Sequence, residues 1–206
     1  MTRIEDNFVF YTALSTNTPN AEKRLKYTIM DILFASAPSF DQPLAVLKHC
    51  HDRIRKQLAT LEKLLPHLAQ HGADVEAQKA ALAVLKYFQN AAPLHHDDEE
   101  IDLLPTLVQT AQAADAELLA TLLPTILQQH QQMASLWQVL EAQLDPISSG
   151  SAADLNNLDV TAFQTLYQEH MQIEETQIAP MAMRLFSPEQ MYKLGQAMQA
   201  RRGIDA

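Results

Sequence analysis

The chain has 206 residues, which is enough for one domain with a substantial core and too few for two ordinary domains. Glycine is scarce, with 4 residues in all, and the chain is rich in alanine, leucine, glutamine and glutamate, which favour helices. The net charge is −10 and no basic stripe is present, so we expect neither a nucleic-acid partner nor an anionic membrane surface. These features predict an all-α domain.

Cysteine usage and the absence of long apolar runs predict a soluble cytoplasmic protein. The single cysteine, Cys50, cannot form an internal disulfide, which is compatible with a reducing compartment. Residues 1–19 carry acidic side chains and no long apolar run, so they do not resemble a secretion signal. No stretch approaches the roughly 18 apolar residues that a membrane-spanning helix needs.

The chain is predicted to consist of an N-terminal arm, residues 1–40, and a bundle domain, residues 41–206. The arm contains a polar stretch and no residues that suggest chemistry, so we interpret it as a flexible or docking segment. From Pro43 onward, apolar residues recur at helical spacing. The predicted fold is an up-down-up-down four-helix bundle with a short fifth helix at its C-terminal end.

Five helices are predicted in chain order, at residues 43–70, 75–104, 115–144, 154–185 and 188 to about 201. Gly72 is typical of a residue that ends a helix. Asp74 and Ser187 are typical of residues that cap a helix at its N-terminus. Residues 147–153 are predicted to form a serine- and glycine-containing loop between the third and fourth helices.

One motif occurs twice in the chain, and the functional prediction depends on it. Its two copies are His95-x-x-x-Glu99-Glu100 followed by Pro105, and His170-x-x-x-Glu174-Glu175 followed by Pro180. Residues four apart lie on the same face of a helix, so each copy offers an imidazole and a carboxylate pointing the same way. A lone histidine precedes each copy, His51 by 44 residues and His130 by 40 residues.

The spacing of these four histidines predicts that they lie at one level of the bundle. In an antiparallel helix pair, residues equally distant from the turn lie at the same height. The midpoint of His51 and His95 is position 73, in a predicted turn, and the midpoint of His130 and His170 is Gly150. The midpoint of His95 and His130 falls near positions 112–113, in the next predicted loop.

We therefore predict a metal site with six ligands: His51, His95, Glu99, His130, His170 and Glu174. The alternative is a set of solvent-exposed His–Glu pairs, each worth roughly 0.2–0.5 kcal/mol. That alternative does not explain why four such groups share one height. Carboxylates inside a bundle are also costly unless a metal or a partner compensates them.

Two of the ligand assignments leave an alternative open. His49 competes with His51, and the spacing of the second repeat gives a small preference for His51. His96 competes with His95, and the register of the repeat favours His95, which places His96 beside the site or at the surface. The second glutamate of each motif is interpreted as part of a solvated helix face, namely Glu100 and Glu175.

Imidazoles combined with carboxylates favour a pair of iron ions. The same donors also suit manganese, although we expect iron, and zinc usually takes thiolates or fewer, tetrahedral ligands. Two bridging carboxylates and two imidazoles per metal would divide six ligands between two irons. Each iron would keep open positions, at which dioxygen or nitric oxide could bind.

The two motifs resemble those of the hemerythrin-like, HHE cation-binding family. The resemblance covers about residues 43–202 and is strongest in LHHDDEEIDLLP, residues 94–105, and HMQIEETQIAP, residues 170–180. His51 and His130 match the lone histidines of the first and third helices. The resemblance implies a four-helix bundle around a non-haem di-iron centre.

The sequence departs from oxygen-carrying hemerythrins in ways that resemble another branch of the family. Those proteins carry a second histidine one turn after the histidine of the third helix, where this chain has Ala134. They also use an aspartate five residues after the last histidine, where this chain has Glu175, with Glu174 at four. The pattern is more similar to the iron-centre repair and nitric-oxide-responsive branch. That branch usually has an additional cysteine-containing N-terminal domain, whereas residues 1–40 contain no cysteine.

Three functions from different classes follow from the sequence. The first is a di-iron protein that binds dioxygen or nitric oxide, or holds iron, for sensing, storage or stress response. The second is a di-iron enzyme that reduces nitric oxide or peroxide, or donates iron to damaged iron–sulfur centres. The third is a metal-free helical interaction module. The sequence does not decide the protein partner or whether the chain forms a homo-oligomer.

Overall fold

The computed structural model describes residues 38–204, and the predicted N-terminal arm lies outside this range except for its last three residues. The described residues form five helical rods and no strand. These rods are α1, Pro43–His71; α2, Val75–Asp97 followed by Asp98–Leu103 and Leu104–Thr110; α3, Ala113–Ser148; α4, Asn157–Ile173 followed by Glu174–Ile178 and Ala179–Leu185; and α5, Pro188–Arg201. The predicted all-α fold is confirmed.

Each of the rods α1 to α3 packs against the next along the chain, and α1 also packs against α4. Helices α1 to α4 therefore form the predicted up-down-up-down bundle, and α5 packs against α1 and the α2 rod near the first motif. None of the helices between residues 38 and 204 combines the length and the apolar character needed to cross a membrane.

The residues that end and begin the helices behave as predicted. Gly72 follows α1 with φ of 65°, a left-handed conformation that glycine adopts without strain. The Asp74 carboxylate accepts a 2.9 Å hydrogen bond from the Ala77 N–H at the start of α2. Ser187 and Gln190 form a reciprocal capping box that begins α5.

Two predicted helix ends were wrong, and both involve proline. The α2 rod continues past Pro105 to Thr110, and α3 continues past Pro146 to Ser148. Pro105 stands at the start of the segment Leu104–Thr110, where its missing N–H and fixed φ are tolerated. Pro146 lies in the last turn of α3, where one lost hydrogen bond does not stop the helix. The loop between α3 and α4 is accordingly displaced along the chain.

The backbone changes in the same way within both motifs. Asp98–Leu103 and Glu174–Ile178 are π-helical, with wider turns than an α-helix. The carbonyl of Glu99 accepts from the N–H five residues later, and the carbonyl of Glu174 does the same. A proline follows at the next position in each copy. Its ring would crowd the carbonyl four residues earlier in an α-helix, and the wider turn relieves that crowding.

The core consists of two apolar clusters with a polar layer between them. One cluster is formed by the C-terminal half of α1, the N-terminal part of α2, the C-terminal half of α3 and the first part of α4. The other is formed by the opposite ends of the same helices together with α5. Close packing of these two clusters above and below the polar layer holds it in place.

Candidate metal centre

The polar layer consists of the six side chains that the sequence singled out. The structure brings all of them together, and each is at most 4% exposed: His51, His95, Glu99, His130, His170 and Glu174. The ring centroids of His51 and His95 are 4.9 Å apart, and those of His130 and His170 are 4.6 Å apart. The four histidines therefore lie at the same height in the bundle, as the helix midpoints predicted.

One half of the layer joins α1 to the two motifs. The Nε2 atom of His51 is 3.1 Å from Oε2 of Glu174 and 3.9 Å from Oε1 of Glu99. The Nε2 atom of His95 lies 3.2 Å from the same Oε1 of Glu99. These two imidazoles and two carboxylates place one ligand atom each within 4.8 Å of the others.

The other half of the layer uses the histidines of α3 and α4 with the same two glutamates. The Nε2 atoms of His130 and His170 face each other at 3.1 Å. Oε2 of Glu99 is 3.4 Å from Nε2 of His130, and Oε2 of Glu174 is 3.2 Å from Nε2 of His170. This second group also lies within 4.8 Å, so both carboxylates belong to both groups.

Several buried atoms at the centre of this layer have no hydrogen-bond partner. They are both ring nitrogens of His95, Oε2 of Glu99 and Oε1 of Glu174. The close approach of His95 to Glu99 lacks hydrogen-bond geometry, so it does not satisfy either atom. Buried polar atoms are normally paired, and atoms without a partner are usual where an ion belongs. The donor set therefore fits a pair of metal cations.

Comparison with known proteins identifies the family. The sequence profile of the hemerythrin HHE cation binding domain matches residues 42–182, well over half of the chain. The chain belongs to this family. The matched range begins just before α1 and ends within the last part of α4, so it contains both motifs and both lone histidines.

A bacterial protein is similar to this chain along most of its length. It is a protein of Haemophilus influenzae described as uncharacterized, 29% identical over 166 residues. The aligned region covers 81% of this chain and 93% of the relative. Its description assigns no function that could be carried over.

The second glutamate of each motif reaches the surface, as predicted, with 42% of the Glu100 side chain and 27% of the Glu175 side chain exposed. Each also contacts a predicted ligand histidine, which the sequence did not indicate. Oε1 of Glu100 is 2.6 Å from Nδ1 of His130, and Oε1 of Glu175 is 2.9 Å from Nδ1 of His51. In both pairs the Nδ1–H donates to the carboxylate, which leaves Nε2 with its lone pair toward the centre of the hemerythrin-like bundle.

The two histidine alternatives have different outcomes. His51 lies in the buried cluster, whereas His49 is only partly buried and belongs to no metal-binding group between residues 38 and 204. His95 takes the predicted position, yet His96 is also drawn to the site. The His96 ring stacks on His130 with centroids 4.1 Å apart and planes at 14°. His96 therefore lies beside the site, which is one of the two places that the register of the repeat predicted.

Burial sets the protonation of the layer. Burial lowers the pKa of His95 well below its usual value, and it also lowers the pKa of His130. Burial and the charge of Glu174 raise the pKa of Glu99 well above its usual value. Burial opposes ionisation of Glu174 too, but His170 and His51 outweigh it and hold that pKa well below the usual range. His95 and His130 therefore favour the neutral imidazole, and Glu174 favours the carboxylate; these are the forms that bind a cation.

Two cavities reach the layer from different sides of the bundle. A cavity of about 480 Å³ lies along α1 and α4 and contacts His51, Glu99 and Glu174. Its other walls are mostly leucine, isoleucine, alanine, proline and methionine side chains, together with the charged Lys48 and Glu175. A cavity of about 500 Å³ lies along α2 and α3 and contacts His96 and His130. The first offers an apolar route to both shared carboxylates.

A buried ion-pair cluster fastens α5 to the first motif. Asp98 is fully buried beside Glu99 and accepts hydrogen bonds from Arg201 and Arg202, with Arg202 Nη2 at 2.6 Å from Oδ2. Arg201 also binds Asp102, and Arg202 donates to the Met198 carbonyl at 2.8 Å. The contact holds the π-helical turn that carries Glu99. Sequence reasoning missed it because the residues are about 100 positions apart with no repeat to relate them.

We predict that Arg202→Ala destabilises the protein by about 1.5–3 kcal/mol, because it removes charge-assisted hydrogen bonds to a buried carboxylate. Urea unfolding monitored by circular dichroism measures the change. Lys193→Ala in α5 is the matched control, because the ion pair of Lys193 with Glu189 is solvent-exposed. Its loss should change the free energy of unfolding little. Equal unfolding midpoints for the two variants would contradict a structural role for the cluster.

We also predict that Glu99→Leu stabilises the metal-free protein by about 1–3 kcal/mol, because it removes a buried carboxylate with an unpaired oxygen. Urea unfolding in the presence of a chelator measures the difference. Glu169→Leu is the control, since Glu169 is exposed on α4 next to His170. A loss of stability in the Glu99 variant would mean that this carboxylate serves the fold and not a ligand.

Proposed function

We propose that this protein is a non-haem di-iron protein whose centre binds dioxygen or nitric oxide for sensing, storage or stress response. The observation that carries the proposal is the sharing of Glu99 and Glu174 by two groups of buried ligands. Two carboxylates that each face two pairs of imidazoles are suited to bridge two cations. A single cation would leave one pair of imidazoles without a function.

In the proposed centre, His51 and His95 would hold one iron and His130 and His170 would hold the other, and Glu99 and Glu174 are within reach of both. The donor chemistry supports iron, since four imidazoles and two carboxylates form a harder, higher-coordinate site than the thiolate sites typical of structural zinc. Each iron would have four protein ligands in this arrangement. That number leaves positions free for a small molecule.

The surrounding side chains prepare the site for an uncharged diatomic molecule. The apolar walls of the cavity along α1 and α4 favour a neutral gas over hydrated ions. Glu175 holds the His51 ring, and Arg55 holds Glu175 with a 2.9 Å hydrogen bond. Glu100 holds the His130 ring in the same way. When bound, the iron pair would supply open coordination positions and reversible one-electron chemistry.

We predict that the reconstituted protein holds two iron ions per chain, measured by elemental analysis after anaerobic loading with ferrous iron and gel filtration. His51→Ala and His170→Ala should each weaken retention at least about 10-fold in competition with a chelator, because each removes a direct ligand. His49→Ala is the matched control, and we expect it to retain both ions. Retention of both ions by the His51 and His170 variants would contradict the ligand assignment.

We further predict that the reduced, iron-loaded protein binds dioxygen or nitric oxide stoichiometrically, with new absorption bands in an anaerobic titration. Unchanged spectra with both gases would contradict the proposed ligand class. A second assay adds a chemical reductant and follows consumption of nitric oxide or peroxide. Many turnovers per centre would assign the di-iron enzyme instead of a binding protein, whereas one equivalent consumed supports binding.

A further inference from the structure

The cavity along α1 and α4 is much larger than a diatomic ligand requires. Its volume is about 480 Å³. One water molecule takes about 30 Å³ in the liquid, and a diatomic gas is of similar size, whereas a protein cavity of about 150 Å³ holds a benzene molecule. Cavities of about 300–1,000 Å³ are typical of sites for organic ligands. The cavity therefore has room for an organic molecule beside the metal layer.

The lining of the cavity is polar at its floor and apolar along its walls. The floor is the metal layer, where the side chains of His51, Glu99 and Glu174 belong to residues that are at most 3% exposed. The deepest part of the wall is aliphatic, and its residues are at most 5% exposed: Leu47, Leu103 and Ile178. An occupant that satisfies both surfaces has an apolar body and one polar end.

The apolar lining continues to the surface of the protein. Met183 lines the cavity and is 70% exposed. Methionine is frequent at surfaces that accept varied apolar ligands, because its unbranched side chain adapts its shape. An apolar molecule therefore makes its first contact with the entrance at Met183.

The charged groups around the cavity favour an uncharged occupant. Three acidic side chains line it, Glu99, Glu174 and Glu175, against the single ammonium of Lys48. That ammonium lies 3.6 Å from Asp52 and 4.0 Å from Glu175, so it is already paired. An anionic end would meet like charge at the floor. A cationic end would compete with the proposed iron ions for the same carboxylates.

We propose that this cavity binds an uncharged organic molecule with one oxygen-containing end, of the class of medium-chain alcohols. Scaled from the benzene cavity, a chain of about eight carbon atoms fills roughly half of the space and leaves room for a gas. The chain lies against Leu47, Leu103 and Ile178, and the oxygen faces His51 and the two shared carboxylates. The proposal rests on the proposed function, because it adds an organic ligand to the centre that binds the gas.

Octan-1-ol is the probe, and calorimetric titration together with saturation-transfer NMR measures its binding to the full chain, metal-free and loaded with iron. We expect one bound molecule per chain in both states. In the loaded protein the iron absorption bands should also shift, because the hydroxyl group lies at the metal layer. Octanoate has the same chain length and should bind the metal-free protein at least about 10-fold more weakly, since its charge is opposed by the carboxylates of the floor.

Ala45→Phe tests the location of the ligand. Ala45 lines this cavity six residues before His51, and a phenyl ring there would occupy the space of the chain. Binding of octan-1-ol should weaken at least about 10-fold, because the chain loses apolar contact area. Ala134→Phe is the matched control and should bind as the wild type does, since Ala134 lines the other cavity, along α2 and α3. If Ala45→Phe does not fold, Ala179→Phe is measured in its place, because Ala179 lines the same cavity.

Three results would overturn the proposal: no binding of octan-1-ol to the wild type, binding that the filled cavity leaves unchanged, or octanoate bound as tightly as the alcohol. Iron retention and gas titration judge the proposed function separately. A protein that holds two irons and binds a gas, but not octan-1-ol, keeps that function and loses the organic ligand. A protein that binds octan-1-ol and no iron loses the proposed function, and with it the role of the cavity in an iron centre.

Discussion

The burial of two carboxylates at the centre of a helical bundle determines the rest of this structure. Glu99 and Glu174 are at most 3% exposed, and each has an oxygen without a hydrogen-bond partner. In the metal-free state such groups oppose folding, because their charges and lone pairs have lost water. The two apolar clusters on either side supply the packing that tolerates this cost. A pair of cations bound by the same carboxylates would stabilise the folded state, because the ions would replace the interactions lost with water.

The repeated motif assigns a different task to each of its two glutamates. The first glutamate points into the bundle, and the second reaches the lone histidine of a neighbouring helix, Glu100 to His130 and Glu175 to His51. Each motif therefore supplies one inward carboxylate and orients one imidazole that it does not itself carry. Because the two copies act on opposite helices, the four rods are tied together around the polar layer. Gln129 orients His170 in a similar way, because its Oε1 accepts a 3.2 Å hydrogen bond from the Nδ1–H of His170.

The general plan of the site could be predicted from the sequence because it depends on regular helix geometry. Spacing of four residues placed each His–Glu pair on one face, and the midpoints of the histidine pairs fell at the turns. The N-terminal arm lies outside the described residues, so its role stays a prediction. The predicted ligands converge in the polar layer as expected.

The contacts that Glu100, Glu175 and His96 make with the predicted ligand histidines could not be predicted with the same geometry. A π-helical turn contains more residues than an α-helical turn, so neighbouring side chains diverge less, and Glu100 and Glu175 remain close to the site. The prolines that follow both motifs were a signal of this change. His96 lies three residues before Glu99, and residues three apart also share a helix face, so its position carried a signal that the repeat register hid. The pairing of Asp98 with the arginines of α5 depends on tertiary packing alone.

The most direct measurement is a crystal structure of the protein isolated from cells grown with iron, with data collected on both sides of the iron absorption edge. We expect two anomalous peaks that vanish below the edge, one near His51 and His95 and one near His130 and His170, with both glutamates between them. A polar layer without such peaks in protein loaded with iron, or a single peak bound outside the layer, would contradict the proposed di-iron centre.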